Sequence, residues 1–184
     1  MKRKVLLVVI VVALAQAYSF AEIADSAANG FTYKLVLNLQ SPPETVYQRL
    51  LAVGNWWSSG HTFSGDAHNM SLDAKPMGCW CEKLPNGGGV RHMQVVMAMP
   101  GKMLVMTGGL GPLQTIAATG SMKIGLAPSK GGTQLHITYS VTGYLPAGMN
   151  SLAVPVDGVL TEQFTRFKNF VETGKPDAAS APKK

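Results

Sequence analysis

From Phe31 to Leu39 every second residue is apolar, so that Phe31, Tyr33, Leu35, Leu37 and Leu39 share one face. This period of two predicts a half-buried strand. Ser41-Pro42-Pro43-Glu44 then opens a helix, with Ser41 placed to cap it and proline tolerated in its first turn. Val46, Leu50, Leu51 and Val53 carry the helical spacing as far as Gly54. Between Asn69 and Tyr144 the pattern becomes short apolar runs broken by turn residues, which predicts five to six strands joined by hairpins. Pro85-Asn86-Gly87-Gly88-Gly89 is the strongest of these turns. From about Asn150 to Glu172 the period changes again: apolar residues at 152, 156, 159, 160, 164, 167 and 171 predict a long amphipathic helix. Pro155 either kinks this helix or marks its true start.

Hairpin-linked strands imply antiparallel order, and the apolar face of such a sheet must be covered. The final helix is the one element long enough to cover it. The expected class is therefore α+β, with a curved antiparallel sheet wrapped around a long C-terminal helix. The gap between them is the natural place for a cavity. Residues 31–173 form the domain, 18–30 read as a linker, and 174–184 lack apolar content and are expected to be disordered.

Charge changes the picture only at the ends. Of a net +6, Lys2, Arg3, Lys4, Lys183 and Lys184 account for all but +1. No basic run interleaved with aromatics remains, which excludes a nucleic-acid footprint of that kind. The basic start precedes an apolar run, Val5–Ala15, and then Ala15-Gln16-Ala17, the layout of a secretory signal peptide. Cleavage is expected after Ala17, with Ala21 as the alternative. The apolar run is shorter than the ~20 residues a bilayer span requires, so the mature chain is expected to be exported, to a bacterial periplasm, without stable membrane insertion.

Trp56 and Trp57 are adjacent, so one can be buried while its neighbour faces a hole or its mouth. The alternative is that both seal one end of the core. Cys79 and Cys81 flank Trp80. In a flat strand their Cα atoms lie near the upper limit for a disulfide, so a bridge requires a bend. Two unbridged small residues on one core face is the expected arrangement. Methionine is abundant, with Met70, Met77, Met93, Met97, Met99, Met103, Met106, Met122 and Met149 beyond the signal. Thioethers adapt to irregular apolar guests as well as to irregular cores.

The candidate chemistry sits in the central hairpin. A two-residue turn at Asn86-Gly87 pairs Glu82 with Arg91 and Cys81 with His92, and a turn one residue longer pairs Glu82 with His92. A carboxylate beside an imidazole is either an acid–base pair or an ordinary cross-strand ion pair. His136 falls on the solvent face of its strand and Tyr139 on the apolar face, where its hydroxyl needs either a ligand headgroup or a backbone partner. His61 and His68 with Asp66 have no recognised metal-ligand spacing. Their Gly/Ser-rich loop reads as a lip over the cavity mouth, and "GGLGPLQ" (108–114) as a rim. Neither a metal nor a cofactor is expected.

Three stretches carry a family resemblance: "SPPETVYQRLLAVGNWW", "MGCWCEKLPNGGGVRHMQVVMAMPGKMLVM", and "GGTQLHITYSVTGY" with "VDGVLTEQFTRFKNFVE". Over residues 31–173 the chain resembles the START/birch-pollen-allergen-like (SRPBCC) superfamily. It is most similar to the branch grouped with polyketide cyclases and the heat-shock-protein-90 ATPase activator. The resemblance implies a helix-grip fold with a deep apolar pocket that takes lipids, sterols, polyketides or plant hormones. It transfers no catalytic set residue by residue. The function expected is an exported protein holding a hydrophobic, lipid- or polyketide-like molecule, lined by Trp56, Trp57, Phe63, Met106, Tyr139, Val156 and Leu160. The alternative is a cyclase- or hydrolase-like enzyme using Glu82 and His92 in the same cavity. A chaperone-activator role ranks below both, because the heat-shock partner is cytosolic.

Overall fold

The computed structural model describes residues 20–177. The alternating segment became the organising strand, β2 (Gly30–Leu39), with Phe31, Tyr33, Leu35, Leu37 and Leu39 all buried. Next come helix α1 (Pro43–Leu51), three short 3-10 turns, and strands β3 (Met70–Leu72), β4 (Cys79–Lys83), β5 (Gly89–Met99), β6 (Met103–Gly108), β7 (Ala117–Ser129) and β8 (Gly132–Tyr144). Helix α2 (Ala153–Thr173) closes the domain. Pro155 lies in its first turn, where a missing N–H costs nothing.

An additional strand, β1 (Phe20–Ala27), occupies most of the segment expected to be a linker. It pairs antiparallel with β2, with an irregularity between Ile23 and Asp25. The full sheet is antiparallel in the order β1-β2-β8-β7-β6-β5-β4-β3. It curves around α2, which lies against β1 and β2. The expected signal peptide and the cleavage site after Ala17 lie outside the described residues, and the alternative site after Ala21 falls within β1. No described helix is long and apolar enough to cross a membrane.

The core lies between sheet and α2. Leu35, Leu37, Leu104, Met106, Met122, Ile124, Leu135 and Ile137 come from the sheet, and Leu160, Phe164, Phe167 and Val171 from the helix. Trp56 is fully buried at its centre. Its ring centroid lies 5.1 Å from Phe167, 5.9 Å from Phe164, 5.6 Å from Trp57 and 6.2 Å from Trp80. Each such aromatic buries 150–250 Å², so this cluster fills the space where the deep end of a sheet–helix cavity was expected.

Several local expectations are corrected. The α1 helix ends at Leu51 rather than Gly54, and a 3-10 turn over Val53–Asn55 leads into the tryptophans. Ser41 makes no side-chain cap; Pro42 holds the N-cap position, and the Ser41 carbonyl accepts from Thr133 Oγ1 at 2.6 Å. Residues 174–177 lie against α2, where Arg166 pairs with Asp177 and the Asn169 amide donates to Pro176 O at 3.2 Å. Residues 178–184 lie outside the described residues.

The central hairpin adopts neither expected register. Leu84 N donates to Gly88 O at 2.9 Å and closes a three-residue loop over Pro85–Gly87, with Asn86 (φ 58°) and Gly87 (φ 78°) left-handed, so Glu82 pairs with Val90 and Cys81 with Arg91. A bulge then intervenes: Trp80 pairs with Met93, leaving His92 as the extra residue. A bulge resets the alternation of its strand, so consecutive His92 and Met93 both face inward and are both buried. The bend also overturns the expectation for the cysteines. Cys79 and Cys81 form a disulfide, with Cα atoms 5.4 Å apart. They are partly exposed on the outer face, whereas Trp80 and Glu82 occupy the buried face of β4.

Candidate functional site

A cavity of about 370 Å³ opens where α2 begins. Its walls come from three places. The loop after α1 supplies Trp57 and the stretch Gly60–Phe63, the β6–β7 loop supplies Leu110–Leu113, and α2 with its lead-in turn supplies Leu152, Pro155, Val156, Val159 and Leu160. The helical contribution follows from spacing, because 152, 156 and 159 stack along one flank of the helix. Phe63 is half-exposed at the mouth, while Trp57 is only 5% exposed. The volume is at the lower end of the ~300–1,000 Å³ typical of small-molecule pockets.

Four of the seven residues expected to line a ligand do line this cavity: Trp57, Phe63, Val156 and Leu160. The other three do not. Trp56 and Met106 are core residues with no exposed surface. Tyr139 is likewise buried, and its hydroxyl is occupied by the backbone, accepting from Leu110 N and donating to Gly108 O, each at 3.3 Å. Burial pushes its pKa up to about 12. Tyr139 thereby pins the rim loop that carries Leu110 and Leu113. None of the nine methionines lines the cavity: Met70, Met93, Met106, Met122 and Met149 are core, Met103 is half-buried, and Met77, Met97 and Met99 are exposed.

Glu82 and His92 do meet, although by a route that counting residues across the hairpin missed. His92 Nε2 lies 2.9 Å from Glu82 Oε2, and the two side chains are almost wholly removed from solvent. The carboxylate also accepts from the backbone N–H of Phe63 at 3.2 Å and from that of Ser64. Burial alone would raise the Glu82 pKa, but the bonds from Ser64, Phe63 and His92 outweigh it and hold the group below the usual carboxylate range. Burial pushes the His92 imidazole below its ordinary value, and the nearby carboxylate restores it only in part.

These directions fix the proton inventory. With Glu82 ionised and His92 neutral, Nε2–H donates to the carboxylate and Nδ1 is left as an acceptor. The Gln114 amide sits 3.1 Å from Nδ1 and donates to it. The Phe63 ring stacks on the imidazole at 5.9 Å. The pair therefore bonds to both loops that wall the cavity, one through Phe63 and Ser64, the other through Gln114. Neither Glu82 nor His92 lines the cavity itself. Close approach of the neighbouring strand makes this possible: Gly108 has φ +145°, and a Cβ there would lie 2.5 Å from the His92 carbonyl oxygen.

The tryptophan loop is tied to α2 as well. Gln163, fully buried, accepts from Ser58 N at 2.7 Å, and Arg166 Nε donates to Trp56 O at 3.0 Å. His61 Nε2 lies 3.3 Å from Glu162 Oε2 at the cavity edge. Trp57 Nε1 donates to His61 O at 2.9 Å, a bond between two residues of the cavity wall. His68 instead bonds Asp66 at 2.8 Å, away from the cavity, and His136 is exposed beside Gln134. Leu152 and Val159 belong to the amphipathic stripe, and that period alone does not tell which of its residues meet a cavity rather than the core. Gln114, Ser64 and Gln163 carry no sequence signal, since their roles arise from loop placement.

No protein-family model matches the chain, and no curated protein matches it. Among solved structures it is similar to protein CV1439 from Chromobacterium violaceum, at 20% identity and TM-score 0.52, over 77% of this chain and 96% of that one. It is also similar to a conserved protein of unknown function, EF2215 from Enterococcus faecalis, at 14% identity and TM-score 0.57, over 90% and 82% of the two chains. A third is CalU16 from Micromonospora echinospora, at 10% identity and TM-score 0.50, over 82% and 85%. At these identities the likeness shows the fold alone: this chain is an α+β protein in the helix-grip arrangement, a curved antiparallel sheet closed over a long C-terminal helix.

Proposed function

We propose that this protein is an exported carrier or sensor of a small hydrophobic molecule, held in the cavity between the loop following α1, the β6–β7 loop and the first half of α2. The observation that carries this reading is the convergence of Trp57, Phe63, Leu110, Leu113, Leu152, Val156, Val159 and Leu160 on one unfilled space of about 370 Å³. Apolar walls favour a guest by about 25 cal/mol per Å² of apolar surface removed from water, and they offer nothing to compensate a buried charge. The guest is thus an uncharged molecule, or the apolar end of a longer lipid- or polyketide-like one whose polar end stays at the mouth near His61 and Thr62. The resemblance to the SRPBCC superfamily and the signal-peptide layout support the same reading.

Cyclase- or hydrolase-like turnover through Glu82 and His92 has less support. Both nitrogens of His92 and both oxygens of Glu82 already have partners. They act as positioning residues for the cavity walls. The test is native mass spectrometry of the protein purified from its own exported fraction, followed by displacement of an apolar fluorescent probe. A bound lipid-like mass that Val156→Trp abolishes supports the reading. Failure of every apolar probe to bind the folded protein rejects it.

A further inference from the structure

The Cys79–Cys81 bridge has no place in the cavity. Its two sulfurs lie on the outer face of β4, opposite the core, and both residues are partly exposed. The bridge also contributes little to holding the fold. It joins residues only two apart in sequence, and a loop this short removes less chain entropy from the unfolded state than a long one. Trp80 and Glu82 keep their buried positions through contacts on the other face, so the dithiol and disulfide forms can share one fold. Opposite Cys81 stand exposed Arg91 on β5 and Ser71 on β3, and exposed Lys83 follows two residues along β4. The nearest acid on the adjoining connection, Asp73, is engaged by Lys75 at 2.9 Å. A sulfur released at Cys81 thus faces a cationic neighbour, the setting that stabilises a thiolate.

We propose that Cys79–Cys81 is a thiol–disulfide exchange site that oxidises dithiol substrates. A substrate thiolate attacks Cys79 Sγ, the Cys79–Cys81 bond breaks, and Cys81 leaves as a thiolate beside Arg91. The second substrate thiolate then attacks the substrate sulfur of the mixed disulfide and expels Cys79. The substrate gains one disulfide and loses two electrons and two protons. The pair takes up both electrons, and each cysteine takes one proton. In-line attack and a stabilised leaving thiolate are what such exchange requires.

The experiment incubates the folded full-length mature protein with glutathione at varied reduced-to-oxidised ratios, and separately with a reduced dithiol peptide. Free thiols are then alkylated and intact masses read. The expected result is reversible interconversion of disulfide and dithiol forms with unchanged far-ultraviolet circular dichroism. In Cys81→Ser, which has no bridge to offer a reduced dithiol, a mixed disulfide should form at Cys79 only with oxidised glutathione and accumulate there, because no Cys81 thiolate is present to expel the glutathione. Reaction with glutathione alone assigns small thiols as substrates, and reaction with the peptide assigns polypeptide thiols; either supports the site. Arg91→Ala should slow exchange several-fold at neutral pH and displace its pH profile upward. Two results overturn the proposal: a bridge that reacts only when the protein unfolds, or a folded-state rate equal to that of an isolated 77–83 peptide and unaffected by Arg91→Ala. Neither result uses Cys81→Ser, so both hold even where that variant fails to fold.

Discussion

His92 Nε2 and Glu82 Oε2 are 2.9 Å apart behind the cavity wall, although the two residues are not paired in the β-ladder. The bulge in β5 brings them together, and the pair then bonds to both loops that form the cavity. Removing the carboxylate strands several donors at once. Glu82→Ala leaves the His92, Phe63 and Ser64 N–H groups without their acceptor, and should destabilise the fold by about 3–5 kcal/mol. Glu82→Gln retains one acceptor oxygen and should cost about 1–3 kcal/mol. Urea unfolding at neutral pH measures both, and equal, negligible losses would show that the pair holds nothing.

Acid should weaken the protein in two stages. The folded His92 resists protonation relative to its ordinary value of 6.5. The unfolded chain therefore binds more protons as pH falls below about 6.5, and stability falls with it until the folded imidazole also titrates. Glu82 is held below its ordinary 4.5, so its contribution is complete above that pH and is lost as pH falls through the folded value. Unfolding midpoints measured from pH 8 to 4 should decline over this window. His92→Gln should abolish the upper stage, and a His92→Gln profile parallel to wild type would contradict the assignment.

Gly108 is the point of closest approach between β6 and the bulge. Alanine there combines a left-handed φ of +145° with a Cβ 2.5 Å from His92 O. Backbone strain of this kind costs about 1–3 kcal/mol before any displacement of the bulge. Gly108→Ala should lower the melting temperature and also loosen Phe63. Hydrogen exchange at the Phe63 and Ser64 amides reports the second effect directly.

The two tryptophans should separate in a pair of measurements. Trp56→Ala empties the centre of the core and should cost about 3–5 kcal/mol. Trp57→Ala enlarges the cavity wall, costs less, and should alter probe affinity in protein that remains folded. Val159→Phe should occlude the space and remove probe binding with little change in stability. Retained binding in Val159→Phe would place the probe elsewhere.

Processing and strand β1 make linked expectations. Cleavage after Ala17 leaves Phe20–Ala27 whole, whereas cleavage after Ala21 removes the first two residues of the strand. The mature protein is expected to begin at Tyr18. Intact mass of the exported form decides between them, and Edman or peptide mapping confirms the terminus.

The sequence by itself determined the faces and the class. Period-two runs placed Phe31 through Leu39 and Leu135 through Val141 inward, and period 3.6 placed Leu160, Phe164 and Phe167 inward, because those periodicities are local properties of a backbone with one wet side. Strand β1 is not legible because the large apolar residues of "FAEIADSA", Phe20 and Ile23, are three apart rather than alternating, and an irregularity follows Ile23. Tertiary structure alone decided the rest. The turn at Asn86-Gly87 set the hairpin register, and the bulge opposite Trp80 shifted it by one residue, turned His92 toward Glu82 and accompanied the bend that lets Cys79 reach Cys81. The same packing sent Trp56, Met106 and Tyr139 into the core and left the cavity at one end, beside Trp57. These outcomes depend on how residues far apart in sequence share a fixed volume, and no short stretch of sequence carries that information.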